Sequence, residues 1–254
     1  MRKINLENEI NRCCDFIKVQ LANAGFDKVI VGLSGGIDSA VTAALCVRAI
    51  GKENVQAVML PYKHSHPDSF NHAQEVAEKL EISYESIDIS PMVDAYLNTY
   101  ALDADALRRG NRMARERMCV LFDLSAKYRA LVAGTGNRSE LLVGYCTQYG
   151  DSACAFEPIG HLYKTEIFEL ARLLDLPSCV IEKHPTADLW DGQTDEEEMG
   201  ISYENLDTIL HNLYDLNLAE KEIENQGFEK TEIENVKRMV KRSEFKRNMP
   251  PIPE

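Results

Sequence analysis

Val29-Ile30-Val31-Gly32-Leu33-Ser34-Gly35-Gly36-Ile37-Asp38-Ser39 reads as a buried strand, a glycine turn and the opening of a helix running from Asp38 to about Ala49. Glycine at 35 and 36 lets backbone amides approach an anion with no Cβ in the way. The helix start adds unpaired N–H groups and the positive end of a macrodipole, so the turn suits a phosphate or pyrophosphate. The hydroxyls of Ser34 and Ser39 can follow phosphate oxygens. Asp38 is out of place beside an anion unless a divalent cation stands between them. The loop is not a Walker A motif, which needs a lysine before its last hydroxyl, and no GxGxxG fingerprint occurs.

The rest of the chain extends this pattern. Apolar positions Ile4, Ile10, Cys14, Ile17 and Leu21 predict an amphipathic opening helix that stops by Gly25. Further strands are expected at Val55–Leu60, around Ile82–Ile87 and at Ala130–Ala133, with helices at Ser69–Leu80, Pro91–Tyr100 and Asp105–Lys127 between them. Alternation of this kind implies right-handed crossovers and a parallel sheet covered on both faces, an α/β fold. Ligands of such sheets bind outside the carboxyl ends of the strands, where the loops after Leu33, Leu60 and Ala133 converge. Beyond Leu174 the sequence turns helical. Thr231 and Glu234 have capping-box spacing ahead of a helix reaching about Arg247, and Pro250-Pro251-Ile252-Pro253 ends it. Residues 184–200 read as a long loop suited to a lid. The organisation expected is a single domain over 1–254. It comprises an N-terminal helix (1–25), an α/β nucleotide-phosphate-binding core (26–175), the lid (184–200) and a helical C-terminal part (201–254).

At 254 residues and a formal charge of −13, the composition argues against a protein that grips nucleic acid by its phosphates. The acidic run Asp195-Glu196-Glu197-Glu198 reads as a solvated loop. Seven cysteines without a CxxC pair point to reduced thiols and a cytoplasmic location, and no stretch approaches a membrane span.

Three further segments carry chemistry. Gly134-Thr135-Gly136-Asn137-Arg138-Ser139-Glu140 repeats the sequence of strand, small-residue turn and helix start. Glu140 either joins Asp38 in holding Mg²⁺, a hard cation that shares oxygen ligands with phosphates, or is simply an acid favoured by the helix dipole. Lys164 opens a helix against its dipole, which makes sense if it contacts phosphates; the alternative is a loose surface lysine. The arginine-rich run Arg108–Arg117 is either an ordinary solvated helix face or an anion contact. His184–Glu196, within the proposed lid, holds Trp190, the chain's one tryptophan.

The loop Ser34–Ser39 resembles the SGGxDS pyrophosphate loop of the ATP pyrophosphatases. LSGGIDSA (33–40), ARERM (114–118), GTGNRSELLVGY (134–145), YGD (149–151), PIGHLYKTEIFELAR (158–172) and PTADLWDGQTDEEEMGISYENLD (185–207) together resemble the NAD synthetases. That resemblance implies a fold of the adenine nucleotide alpha hydrolase type and ATP-dependent amidation of deamido-NAD, through an acyl adenylate, to NAD, AMP and pyrophosphate. It implies that Gly32, Leu33, Ser34, Gly35, Gly36, Ile37, Asp38, Ser39, Thr135, Lys164 and Thr186 bind ATP and that Asp38 and Glu140 hold Mg²⁺. Deamido-NAD falls to Arg115, Tyr145, Gln148, Phe245 and Lys246. Gln148, Ala155 and Phe245 depart from the family's usual lysine, aspartate and histidine.

The resemblance also implies a homodimer with the dinucleotide at the subunit interface. The segment ahead of the first strand fits one helix with no glutaminase, so free ammonia is the expected nitrogen donor. A tRNA-modifying enzyme with the same loop would need a basic surface, and often a CxxC. A non-catalytic ATP sensor would be expected to lack Asp38, Glu140 or Lys164. The chain departs from both patterns, and neither nucleic-acid nor membrane partners are expected.

Overall fold

The computed structural model describes residues 2–186 and 194–253. Trp190 and the middle of the proposed lid lie outside the described residues. Four parallel strands form one sheet in the order β3-β2-β1-β4: β1 Val29–Gly32, β2 Val55–Met59, β3 Ser83–Ser86 and β4 Leu131–Ala133. Val29 pairs with Val55 on one side and Leu131 on the other, which makes β1 the central strand. Its three valine and isoleucine residues are fully buried, whereas Ser83-Tyr84-Glu85-Ser86, polar and largely exposed, takes an edge.

The period of two along each strand sorts the core. Val29, Val31, Ala57 and Met59 face one way, against α1 (Leu6–Ala24), α2 (Ile37–Ile50), α3 (Pro67–Lys79) and α7 (Lys164–Leu173). Ile30, Val58 and Val132 face the other way, against α4 (Ser90–Tyr100) and α5 (Ala106–Tyr128). Helices therefore cover both faces, as the alternating pattern requires. The opening helix ends where Gly25 takes a left-handed conformation.

The remaining helices are α6 (Arg138–Val143), α8 (Ser178–Ile181), α9 (Asp195–Met199), α10 (Tyr203–Leu210), α11 (Glu220–Glu224) and α12 (Lys230–Arg242). A third apolar cluster built from Leu206, Ile209, Leu210, Ile223, Ile233 and Val236 joins α10, α11 and α12, with α6 contributing Val143. Two sequence expectations are corrected here. The last helix begins at Lys230, its start closed by Glu232 accepting from the Glu229 N–H (3.2 Å) rather than by Thr231 and Glu234. It stops at Arg242; Glu244–Arg247 is a separate 3₁₀ turn. The acidic run is not a solvated loop either. It forms α9, with Asp195 only 4% exposed.

Gly144 closes α6 in the left-handed region (φ 72°), and a Cβ there would lie 2.1 Å from Ser243 Cβ at the end of α12. Gly25 has a similar φ but open space around it. Gly25→Ala should therefore cost only the left-handed penalty of about 1 kcal/mol, while Gly144→Ala costs roughly 1–3 kcal/mol more through the clash. Thermal denaturation of the two variants checks this, and equal losses would contradict the packing described.

Candidate active site

The carboxyl ends of β1, β2 and β4 open into a cleft of about 830 Å³. Its floor is the Ser34–Ser39 turn, which is held by its own hydroxyls. Ser39 Oγ donates to Gly36 O (2.9 Å) and accepts from Ser34 N (3.2 Å), and the Gly36 N–H reaches Ser34 Oγ (3.3 Å). Gly35 sits at φ 77°, and a Cβ there would lie 2.0 Å from the Ser69 carbonyl, so α3 seats directly on the turn. No side chain caps α2, whose first turn faces the cleft. The turn is a preformed anion cradle.

Above it lies a buried ion triad. Lys164 is 2% exposed, and its Nζ donates to Asp38 Oδ2 (2.6 Å) and Glu140 Oε1 (3.1 Å). Asp38 also accepts from Asn137 Nδ2 (2.8 Å). All three charged residues stand in the first turns of helices, α2, α6 and α7. The surface alternative for Lys164 is thereby excluded. Burial works against the lysine's charge, but the two carboxylates hold its proton more firmly than usual. Burial raises the Glu140 carboxyl above its ordinary range, against the pull of Lys164 and with the repulsion of Asp38.

The other predicted residues divide. Gly32, Leu33, Ser34, Gly36, Ile37, Ser39, Thr135, Thr186, Tyr145 and Lys246 line the cleft, whereas Gly35 packs against Ser69 and does not. Lys246 Nζ is tied to the carbonyls of Gly144 and Cys146 (2.7 Å each). Arg115, Gln148 and Phe245 do not line it. Arg115 is exposed and donates to the Gln148 carbonyl (3.3 Å), and Phe245 is 59% exposed. The arginine run is mostly paired locally, Arg112 with Glu116 and Arg108 with Asp103; only Arg117 reaches the cleft wall, where Nε donates to Leu60 O (3.0 Å).

Several contributors escaped the sequence reading. Asp195 accepts from Tyr203 Oη (3.1 Å), and the single hydroxyl proton of Tyr145 is shared between Asp195 (3.1 Å) and Glu198. Burial raises Asp195, partly offset by Lys164. Glu157 braces the Gly134–Gly136 turn from behind by accepting from Gly136 N (2.9 Å), and burial pushes it up to about 7. Asn137 could have been recognised from its N-cap position, since Glu140 N donates to its side chain. Asp195 carried no such local signal, because Tyr145 lies fifty residues away and Tyr203 lies beyond the end of its own helix. Among the described residues no three His, Cys, Asp or Glu side chains are grouped to hold a metal by themselves. A cation at Asp38 and Glu140 would therefore need further oxygen ligands beyond these side chains.

The family model described as NAD synthase matches residues 9–250. The NH(3)-dependent NAD(+) synthetase of Fusobacterium nucleatum is 50% identical over 249 residues, spanning 98% of this chain and 96% of the relative. Among solved structures, the NH3-dependent NAD synthetase of Campylobacter jejuni in complex with nitrate ion superposes with a TM-score of 0.84 at 36% identity, covering 99% of this chain and 100% of that one. An NMN synthetase from Francisella tularensis superposes with a TM-score of 0.88 at 31% identity, covering 99% of each.

Removing the cation from the triad leaves two carboxylates facing each other in a poorly solvated cleft. Lys164→Met should destabilise the protein by on the order of 3 kcal/mol near pH 8. Glu140 already holds its proton more tightly than a free carboxyl, and losing Lys164 raises it further. The deficit relative to the parent should therefore shrink as the pH falls from 8 towards 6, where the carboxyl is neutral. Denaturant titrations at the two pH values test this; a deficit that is constant or grows at low pH contradicts the charge assignment.

Proposed function

The chain belongs to the NAD synthase family, and we propose that this cleft amidates deamido-NAD with free ammonia at the expense of ATP. The observation that carries the reading is the Lys164–Asp38–Glu140 triad poised over an uncapped helix start and a preformed anion cradle. A nicotinate carboxylate is a poor acyl donor until one of its oxygens becomes part of a good leaving group. Its oxygen attacks the α-phosphorus of ATP, the bond to the β-phosphate oxygen breaks, and pyrophosphate departs. Ammonia then attacks the acyl carbon of the adenylate, and AMP leaves with the carboxylate oxygen.

The residues divide this work. Gly32–Ser39 wrap the phosphates, and Thr135, Lys164 and Thr186 complete the ATP contacts. Lys164 and the α2 N-terminus neutralise charge that develops on the departing pyrophosphate. Asp38 and Glu140 are hard oxygen donors and would hold Mg²⁺ through lone pairs that Lys164 does not use. When bound, the cation supplies charge neutralisation of the leaving group. Tyr145 and Lys246 present the nicotinate end. Arg115, Gln148 and Phe245 lie outside the cleft of one copy, which suits a homodimer whose partner completes the dinucleotide site. Small-molecule substrates, a cytoplasmic location and no nucleic-acid partner complete the reading; no described helix is long and apolar enough to cross a membrane.

A second reading has one observation in its favour, the likeness to the Francisella enzyme, whose name carries a mononucleotide product. One assay tests both. Purified protein with deamido-NAD, ATP and ammonium should yield one AMP and one pyrophosphate per NAD. Ammonia-free glutamine should give essentially none, and nicotinate mononucleotide should be the poorer acceptor. Asp38→Asn should lose about 10²-fold in rate or more while remaining folded. ADP and phosphate as products, glutamate formed in step with NAD, preference for the mononucleotide, or an undiminished Asp38→Asn would each overturn the corresponding part.

A further inference from the structure

Asp207, in α10, is 1% exposed, distant in sequence from the triad and unused in the chemistry above. One of its oxygens accepts from Ser139 Oγ; the other accepts from Thr165 N (2.9 Å) and Thr165 Oγ1 (2.8 Å). Ser139 Oγ in turn accepts from the backbone N–H of Lys164 (2.9 Å). Ser139 immediately precedes Glu140, and Thr165 immediately follows Lys164. A single buried carboxylate thus grips the first turns of α6 and α7 beside the two residues that must meet.

Asp207 does more than cap one helix, since it takes the free Thr165 N–H at the start of α7 and the Ser139 hydroxyl of α6 together. Asn137 caps α6, and Glu166 closes the start of α7 by accepting from Tyr163 N (2.9 Å). The carboxylate is also costly to bury, and burial together with the charge of Glu166 raises it to about 6. It remains ionised at neutral pH, where all three donors find a lone pair. An amide in its place would turn an NH₂ group towards a donor N–H, or towards a hydroxyl whose proton would then need another acceptor.

We infer that Asp207 is a positioning residue for ATP binding and adenylation, fixing the α6 and α7 starts so that Glu140 and Lys164 meet the phosphates. The inference rests on the phosphate role given to Lys164 above. Active-site constellations tolerate little displacement, so a small shift of either helix start is expensive.

The test is calorimetric binding of metal-free ATP together with steady-state turnover, on the parent, Asp207→Asn, Lys164→Ala and the double variant. Asp207→Asn should fold, bind ATP about tenfold more weakly and lose kcat by at least as much. Its KM for deamido-NAD should stay within about twofold of the parent. In the Lys164→Ala background the same substitution should change ATP affinity by less than about twofold, because its route to the phosphate is already gone. If Asp207→Asn does not fold, Ser139→Ala takes its place, since it removes a donor to the carboxylate and the acceptor of the Lys164 N–H. A tenfold loss in both backgrounds would mean a general structural role and overturn the inference. A costly Lys164→Ala beside a silent Asp207→Asn would overturn it alone, whereas a Lys164→Ala variant that binds ATP like the parent would overturn the underlying reading and this inference with it.

Discussion

Everything at the carboxyl edge of the sheet is arranged around one buried ammonium group, that of Lys164, held between Asp38 and Glu140. Its position is unfavourable on local grounds, because a lysine at the first residue of a helix opposes the dipole. The two acids stand where the dipole favours them, in the first turns of α2 and α6, and their charges make the lysine tenable. Three helix starts therefore aim at one point, and that point carries one cation and two anions. Such a site offers positive dipole ends to phosphates beside one buried ammonium.

The demand for three helix starts at one point explains features that are otherwise arbitrary. Gly35 must be glycine because α3 closes onto the loop through the Ser69 carbonyl. Glu157 supports the β4 turn by accepting from the Gly136 N–H. The helical C-terminal part supplies more than bulk. Lys246 and Arg247 bind carbonyls at the end of α6 and just after it, and Asp195 receives the hydroxyls of Tyr145 and Tyr203 beside Glu140.

Much of this was legible in the sequence because its signals are local. The period of two in Val29–Val31, the paired glycines and the acid after them specify a strand, a turn and a helix start from adjacent residues alone. Lys164 was legible as an anomaly, since a helix without a ligand has no use for it there. The acidic run could not be read the same way. Asp195 is buried by two tyrosines, one fifty residues away, and four consecutive acids look solvated to any local rule. The last helix was misjudged because Thr231 and Glu234 offered a capping-box spacing while Glu229 and Glu232 supplied the bond. In the arginine run, Arg112 pairs with Glu116 one turn on, but it also lies over Tyr96 of α4 while Arg117 reaches the Leu60 carbonyl, contacts that spacing within α5 does not encode.

The central claim is that the triad and the cradle beneath it transfer an adenylyl group to a carboxylate substrate before any nitrogen arrives. Exchange of labelled pyrophosphate into ATP, measured without ammonium, tests this directly. Label should enter ATP when deamido-NAD is present, and exchange should fall to background when deamido-NAD is omitted. Exchange that proceeds without deamido-NAD, or that requires ammonium, would contradict an adenylate formed on the substrate at this site.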